Sequence, residues 1–152
     1  MQIQPLIIPV SESGKLYELQ HDYEVDLINY IHRDIQLVIP EGFRYDGASV
    51  PRPLWSISGL SRDGLHRAAA LVHDFIYHYK GDFVDESNQK DLTLTRKEAD
   101  KVFRKMLKEV NIASHRCWLA YCGVRLFGGF WWNKPPAEKN KKFIVDSSNK
   151  SA

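Results

Sequence analysis

Between Leu65 and Tyr79 the chain reads LHRAAALVHDFIYHY, and this stretch constrains the fold more than any other. Leu65, Ala69, Val72 and Ile76 recur at three- and four-residue steps, which marks the buried stripe of a helix. His73 and Asp74 lie against that stripe. An imidazole and a carboxylate cost free energy to bury unless something hydrogen-bonds or ligates them. The pair therefore requires partners from elsewhere in the chain.

With 152 residues, 43% of them hydrophobic, the chain can close one good core but not two. The expectation is one α+β domain over residues 1–132, a small antiparallel sheet followed by about three packed helices, with a basic polar tail over 133–152. The 21 basic and 19 acidic residues nearly balance, so no specific nucleic-acid surface is indicated. Cys117 and Cys122 lie on different faces of one expected helix, which disfavours a mutual disulfide and fits a reducing compartment. No charged segment followed by an apolar run opens the chain, so secretion by a signal peptide is not expected. The apolar stretch Cys117–Trp132 is interrupted by Arg125 and three glycines, which argues against a spanning helix.

Leu16–Leu19, Tyr23–Leu27 and Ile35–Ile39 read as strands separated by turn-forming residues, and the proline-bearing IQPLIIPV fits a sheet edge. Pro40–Trp55 (PEGFRYDGASVPRPLW) is a shaped loop, because its glycines admit unusual backbone angles while its prolines fix theirs. Asp46 falls at its bend, either capping a turn or facing a site. After the His–Asp helix, Lys80–Asp91 reads as a polar, exposed excursion. Thr95 and Glu98 form a capping box that starts a helix running to about Val110, with Ala99, Phe103, Met106 and Val110 as its apolar face. Asp100 projects near that face, inward or at its rim. A last helix is expected over Ser114–Phe127, packing through Trp118, Tyr121, Val124 or Arg125, and Leu126, and ending at Gly128-Gly129. Phe130, Trp131 and Trp132 either fold back over the core or form an exposed patch for a partner or lipid.

Three features converge on chemistry: the Asp46-Gly47-Ala48-Ser49 loop, His73-Asp74 with Tyr77 one turn later, and Asp100 on the following helix. A neutral imidazole takes a proton from water when a carboxylate or phenol fixes its tautomer. Asp74 points about 100° away from His73 around the helix, so it is placed to hold something else. A hard cation such as calcium, with loop carbonyls and water, suits that position.

The ordered segments YDGASVP, HDFIY and ADKVF resemble a phage- and prophage-associated family catalogued as a domain of unknown function, DUF1353, over roughly Tyr17 to Gly128. That resemblance implies a phage or prophage origin and a place in the host cytoplasm or the phage particle. His73, Asp74 and Tyr77 are also similar to the His-Asp-x-x-Tyr helix of bacterial phospholipases of the A2 type, with Asp100 matching their second-helix aspartate. The Asp46–Ser49 loop resembles their calcium loop. The similarity implies that His73 activates water, that Asp74 ligates calcium, and that Asp100 and Tyr77 orient His73, while Asp46, Gly47 and Ser49 serve as the loop and oxyanion group. Unlike those enzymes, the chain has no cysteine near either helix motif.

Two other readings use the same atoms. A metal-dependent phosphohydrolase would recruit His66, His73, Asp74 and Asp100, but His66 and His73 are two turns, about 10.5 Å, apart on one helix. That is too far for both to chelate one small ion. Alternatively, His73, Asp74, Arg67 and Asp100 form a structural network in a non-catalytic phage tail or virion component. In that reading the aromatic run and the basic tail contact other phage proteins.

Overall fold

The computed structural model describes residues 4–10, 16–45, 66–85, 89–134 and 142–145. In chain order the elements are β1 (Ile7–Pro9), β2 (Tyr17–Leu19), β3 (Tyr23–Asp26), the one-turn helix α1 (Ile28–Ile31), β4 (Gln36–Ile39), β5 (Arg44–Tyr45), α2 (Arg67–His78), β6 (Asp82–Asp85), β7 (Asp91–Thr93), α3 (Arg96–Glu109), α4 (Ser114–Phe127), the short α5 (Gly129–Trp132) and β8 (Lys142–Val145). The fold is α+β, as expected. It holds an antiparallel sheet in the order β1-β2-β5 and a five-stranded sheet in the order β3-β4-β8-β6-β7.

Helix α2 is the buried axis of the molecule. All ten residues from Ala68 to Tyr77 are buried, so the helix is enclosed on every side rather than along one stripe. Its three consecutive alanines leave room for neighbours to approach closely, and its large side chains carry the packing. Phe75 stacks on Phe83 of β6 at 5.6 Å and meets Phe43, beside β5, edge-on at 5.1 Å. One ring thereby joins the helix to both sheets. Helix α3 packs against α2, and α4 packs against α3.

Two segments depart from the sequence expectation. The first part of Lys80–Asp91 is not an exposed excursion: Asp82–Asp85 pairs antiparallel with Asp91–Thr93 and Phe83 is fully buried, whereas Gln89, Lys90 and Asp91 are exposed as expected. The only apolar pair in that stretch, Phe83-Val84, is too short a strand signal to stand out among the surrounding polar residues. Within the segment expected as a polar tail, β8 pairs antiparallel with β4 and parallel with β6. The run Phe143-Ile144-Val145 is a local strand signal, but a short one set in a basic, polar stretch.

Helix α4 has the expected limits and another face inward. Cys117, Ala120, Gly123 and Val124 are buried, whereas Trp118 and Leu126 are exposed. Small side chains let α4 approach α3 closely, and a tryptophan on that face would hold the helices apart.

Gly81 makes the turn from α2 into β6 with φ of 72°, and a Cβ there would stand 1.9 Å from the Leu94 carbonyl oxygen. Gly42 has φ of 83° but open space around it. In urea unfolding, Gly42→Ala should lose about 1 kcal/mol, the strain of the left-handed backbone alone. Gly81→Ala should lose about 3 kcal/mol or more, because the Leu94 backbone, just past the end of β7, must also move. Equal losses would show that the close approach at Gly81 is without energetic weight.

Candidate active site

Asp100 owes its position to the start of α3. The Thr95 hydroxyl accepts from the Glu98 backbone N–H at 3.1 Å, and the Glu98 carboxylate accepts from the Thr95 N–H at 2.8 Å. This reciprocal cap sets the phase of the helix, so that Asp100 shares its buried face with Phe103 and Leu107. Across the α2–α3 contact stand His73 and Tyr77, one turn apart and therefore on one face of α2.

The three side chains meet at a single oxygen. His73 Nε2 lies 2.8 Å from Asp100 Oδ1, and the Tyr77 hydroxyl donates to the same Oδ1 at 2.7 Å. From α4, Arg125 Nη1 donates to Oδ2 at 2.8 Å. His73 and Asp100 are 0% exposed and Tyr77 is 2% exposed, while the Arg125 side chain is 31% exposed. The network thus runs from the sealed core out to solvent through one guanidinium. The His73 ring is also held by Tyr77, with centroids 4.2 Å apart, and by Phe103 at 4.9 Å.

The charges follow from this geometry. Burial pushes the Asp100 carboxyl upward, but hydrogen bonds from His73, Tyr77 and Arg125 outweigh it and hold the group below its usual range. For His73 burial dominates, and it lowers the imidazole below its ordinary value despite the favourable Asp100 contact. Tyr77 is raised, first by burial and then by the Asp100 charge, so it remains a proton donor. Arg125 is raised by its bond to Asp100. The resting state is therefore a carboxylate facing a neutral imidazole. A carboxylate only accepts, so Nε2 carries the imidazole proton and Nδ1 carries the lone pair.

Of the residues singled out in the sequence, His73, Tyr77 and Asp100 come together. Asp74 is buried on the next position of α2 and takes no part in the cluster on Asp100. Asp46, Gly47 and Ser49 lie outside the described residues. Among the described residues no group of three His, Cys, Asp or Glu side chains could hold a metal ion. Among the described residues, Asp74 is the one side chain that the sequence reading assigns to calcium. His66 immediately precedes α2 and is not among the donors to Asp100.

Three contributors went unassigned in the sequence. Arg125, which the helical spacing offers only as an alternative packing position, is the one charge between Arg116 and Lys134, and that isolation is its signal in the sequence. Arg96 donates to the carbonyls of Val124 and Arg125 at 3.3 and 3.1 Å, which ties the end of α4 to the start of α3. Gly128 stops α4 and also clears a space: a Cβ there would stand 2.6 Å from the Tyr77 hydroxyl.

A family profile described as "Protein of unknown function (DUF1353)" matches residues 20–124. The chain is 35% identical over 65 residues to an uncharacterized protein, y4jT, of Sinorhizobium fredii (strain NBRC 101917 / NGR234). That alignment covers 43% of the chain and 18% of the relative's own length. No solved structure matches the chain significantly.

Both His73 and Asp100 have folded-state values below their ordinary ones, so each contributes stability that is fully present above its unfolded pKa and is lost as pH falls toward the folded value. For His73 the loss begins near the ordinary imidazole value of 6.5. Between pH 7.5 and 5.5 this group should remove up to about 1.4 kcal/mol of unfolding free energy. Urea midpoints at the two pH values should fall further apart in the wild type than in His73→Gln. An unchanged difference would mean that His73 is not held neutral by its surroundings.

Proposed function

Because the chain belongs to the family described as protein of unknown function (DUF1353), and its site must be read from its own atoms, we propose that it is a hydrolase of lipid or related esters with His73 as the general base. The observation that carries this reading is the shared oxygen: Asp100 Oδ1 accepts from both His73 and Tyr77. That arrangement holds the ring in the one tautomer whose Nδ1 can accept a proton.

In the proposed reaction Nδ1 of His73 takes a proton from a water molecule as its oxygen attacks the ester carbonyl carbon. The C–O bond to the leaving alcohol then breaks, and the imidazolium returns the proton to the departing alkoxide. Asp100 stabilises the transient imidazolium across the 2.8 Å contact, and Arg125 keeps the carboxylate ionised throughout. Asp74 is the carboxylate proposed for calcium. Its companion ligands would come from the Asp46–Ser49 loop, outside the described residues, and the ion would polarise the ester carbonyl. Lipid as the substrate class is supported by the surface of α4 and α5. Leu126, Phe127 and Phe130 are 75%, 59% and 67% exposed, and no Asp or Glu occurs from Val110 to Ala137. Trp131 and Trp132 instead pack partly against the core.

A second reading is favoured by one observation, the complete burial of His73 and Asp100. A closed, fully bonded network serves equally to fix a core. In that reading the chain is a non-catalytic structural or accessory component, in the host cytoplasm or the phage particle that its sequence resemblance implies, and the aromatic surface and basic tail contact other phage proteins.

Fatty-acid release from phosphatidylglycerol vesicles with calcium present separates the two. The hydrolase reading expects release by the wild type and a loss of about 100-fold or more in a folded His73→Gln. No release by the wild type, with a lower melting midpoint in His73→Gln, would replace it with the structural reading. For the metal, calcium should raise the wild-type melting midpoint and leave Asp74→Asn unmoved. An equal rise in both would remove Asp74 as a ligand.

A further inference from the structure

Flanking the Asp100 face of α3, a cleft of about 370 Å³ opens between α1 and α3. Its walls carry Lys101, Arg104, Lys105 and Lys108, at three- and four-residue steps along α3, with Tyr30 and His32 opposite. The carboxylate on this wall, Glu98, already accepts from Arg33 Nη1 at 3.3 Å and from the Thr95 backbone N–H. Like charges one turn apart on a helix repel one another, each pair costing a few tenths of a kcal/mol. Four cations lining one concavity are thus an arrangement that an incoming anion relieves.

Two of the cations are already oriented. The Lys105 ammonium donates to the Tyr30 carbonyl oxygen, which draws it against α1. Tyr30 is itself anchored, its hydroxyl donating to Glu109 at 2.8 Å. The Arg104 guanidinium lies over the rings of Trp118 and Tyr121, at 4.9 and 5.4 Å. Its buried Nε–H has no hydrogen-bond partner among the described residues. Stacking fixes a guanidinium through its face and leaves its terminal N–H groups unspent by that contact. Lys101 and Lys108 are exposed and complete the rim.

We infer that this cleft binds a phosphate group, carried either by a free phosphate compound or by a lipid headgroup. A tetrahedral anion with several acceptor oxygens matches cations that converge from one helix face, and Arg104 adds directional donors. A nucleic-acid track would require basic residues well beyond one cleft, whereas the chain as a whole nearly balances 21 cations with 19 anions. The site shares no residue with the His73 cluster and does not depend on hydrolysis.

The test uses the full chain and the double variant Lys101→Gln/Lys108→Gln, whose replaced side chains are exposed and should leave the melting midpoint without ligand unchanged. Inorganic phosphate, compared with chloride at matched ionic strength, should raise the wild-type midpoint, and calorimetric affinity should drop about tenfold or more in the double variant. If free phosphate has no effect, yet phosphatidylglycerol vesicles sediment the wild type with about tenfold higher affinity than the double variant, the cleft takes its phosphate from lipid. Binding of neither probe, or binding of equal strength by both proteins, overturns the inference.

Discussion

The buried Asp100 carboxylate is the constraint on which the helical half of this protein depends. A carboxylate removed from water must be met on both oxygens, and the three groups that meet it come from two helices other than its own. Helix α2 must therefore keep its rotation to present His73 and Tyr77 together, and α4 must keep its register to present Arg125. Hydrophobic burial alone would tolerate small slips among these helices. A charge satisfied by three polar atoms does not.

Secondary features fall into place around that demand. The small inner face of α4 brings the Arg125 backbone close enough for its side chain to reach α3, and Arg96 fastens the same turn from the opposite direction. Gly128 is bare because the Tyr77 hydroxyl occupies the space that a methyl group would take. These positions touch no reacting atom in the proposed chemistry. They hold a proton at Nε2 of His73, and with it the lone pair at Nδ1.

The outer surfaces of the same helices differ from one another. The face of α3 turned toward α1 carries concentrated positive charge, while α4 and α5 expose large apolar side chains in a stretch without acidic residues. Arg104 joins the two surfaces through its stacking on Trp118 and Tyr121. The buried polar network spans α2, α3 and α4, the cationic cleft lies between α1 and α3, and the apolar ridge runs along α4 and α5.

Much of this was legible in the residues themselves where the signal is local. Helical spacing around His73, the Thr95–Glu98 box and the span Ser114–Phe127 depend on neighbours within one or two turns, and the structure carries all three. The meeting of His73, Tyr77 and Asp100 was also foreseeable, because a polar group on an apolar helix face must find a partner on the facing helix. Tertiary structure alone decided the rest. Which side of α4 turns inward, the role of Arg125 and the insertion of Lys142–Val145 between β4 and β6 depend on contacts between residues far apart in the chain. Such contacts are selected by shape and charge after the local elements exist, so no short window of sequence records them.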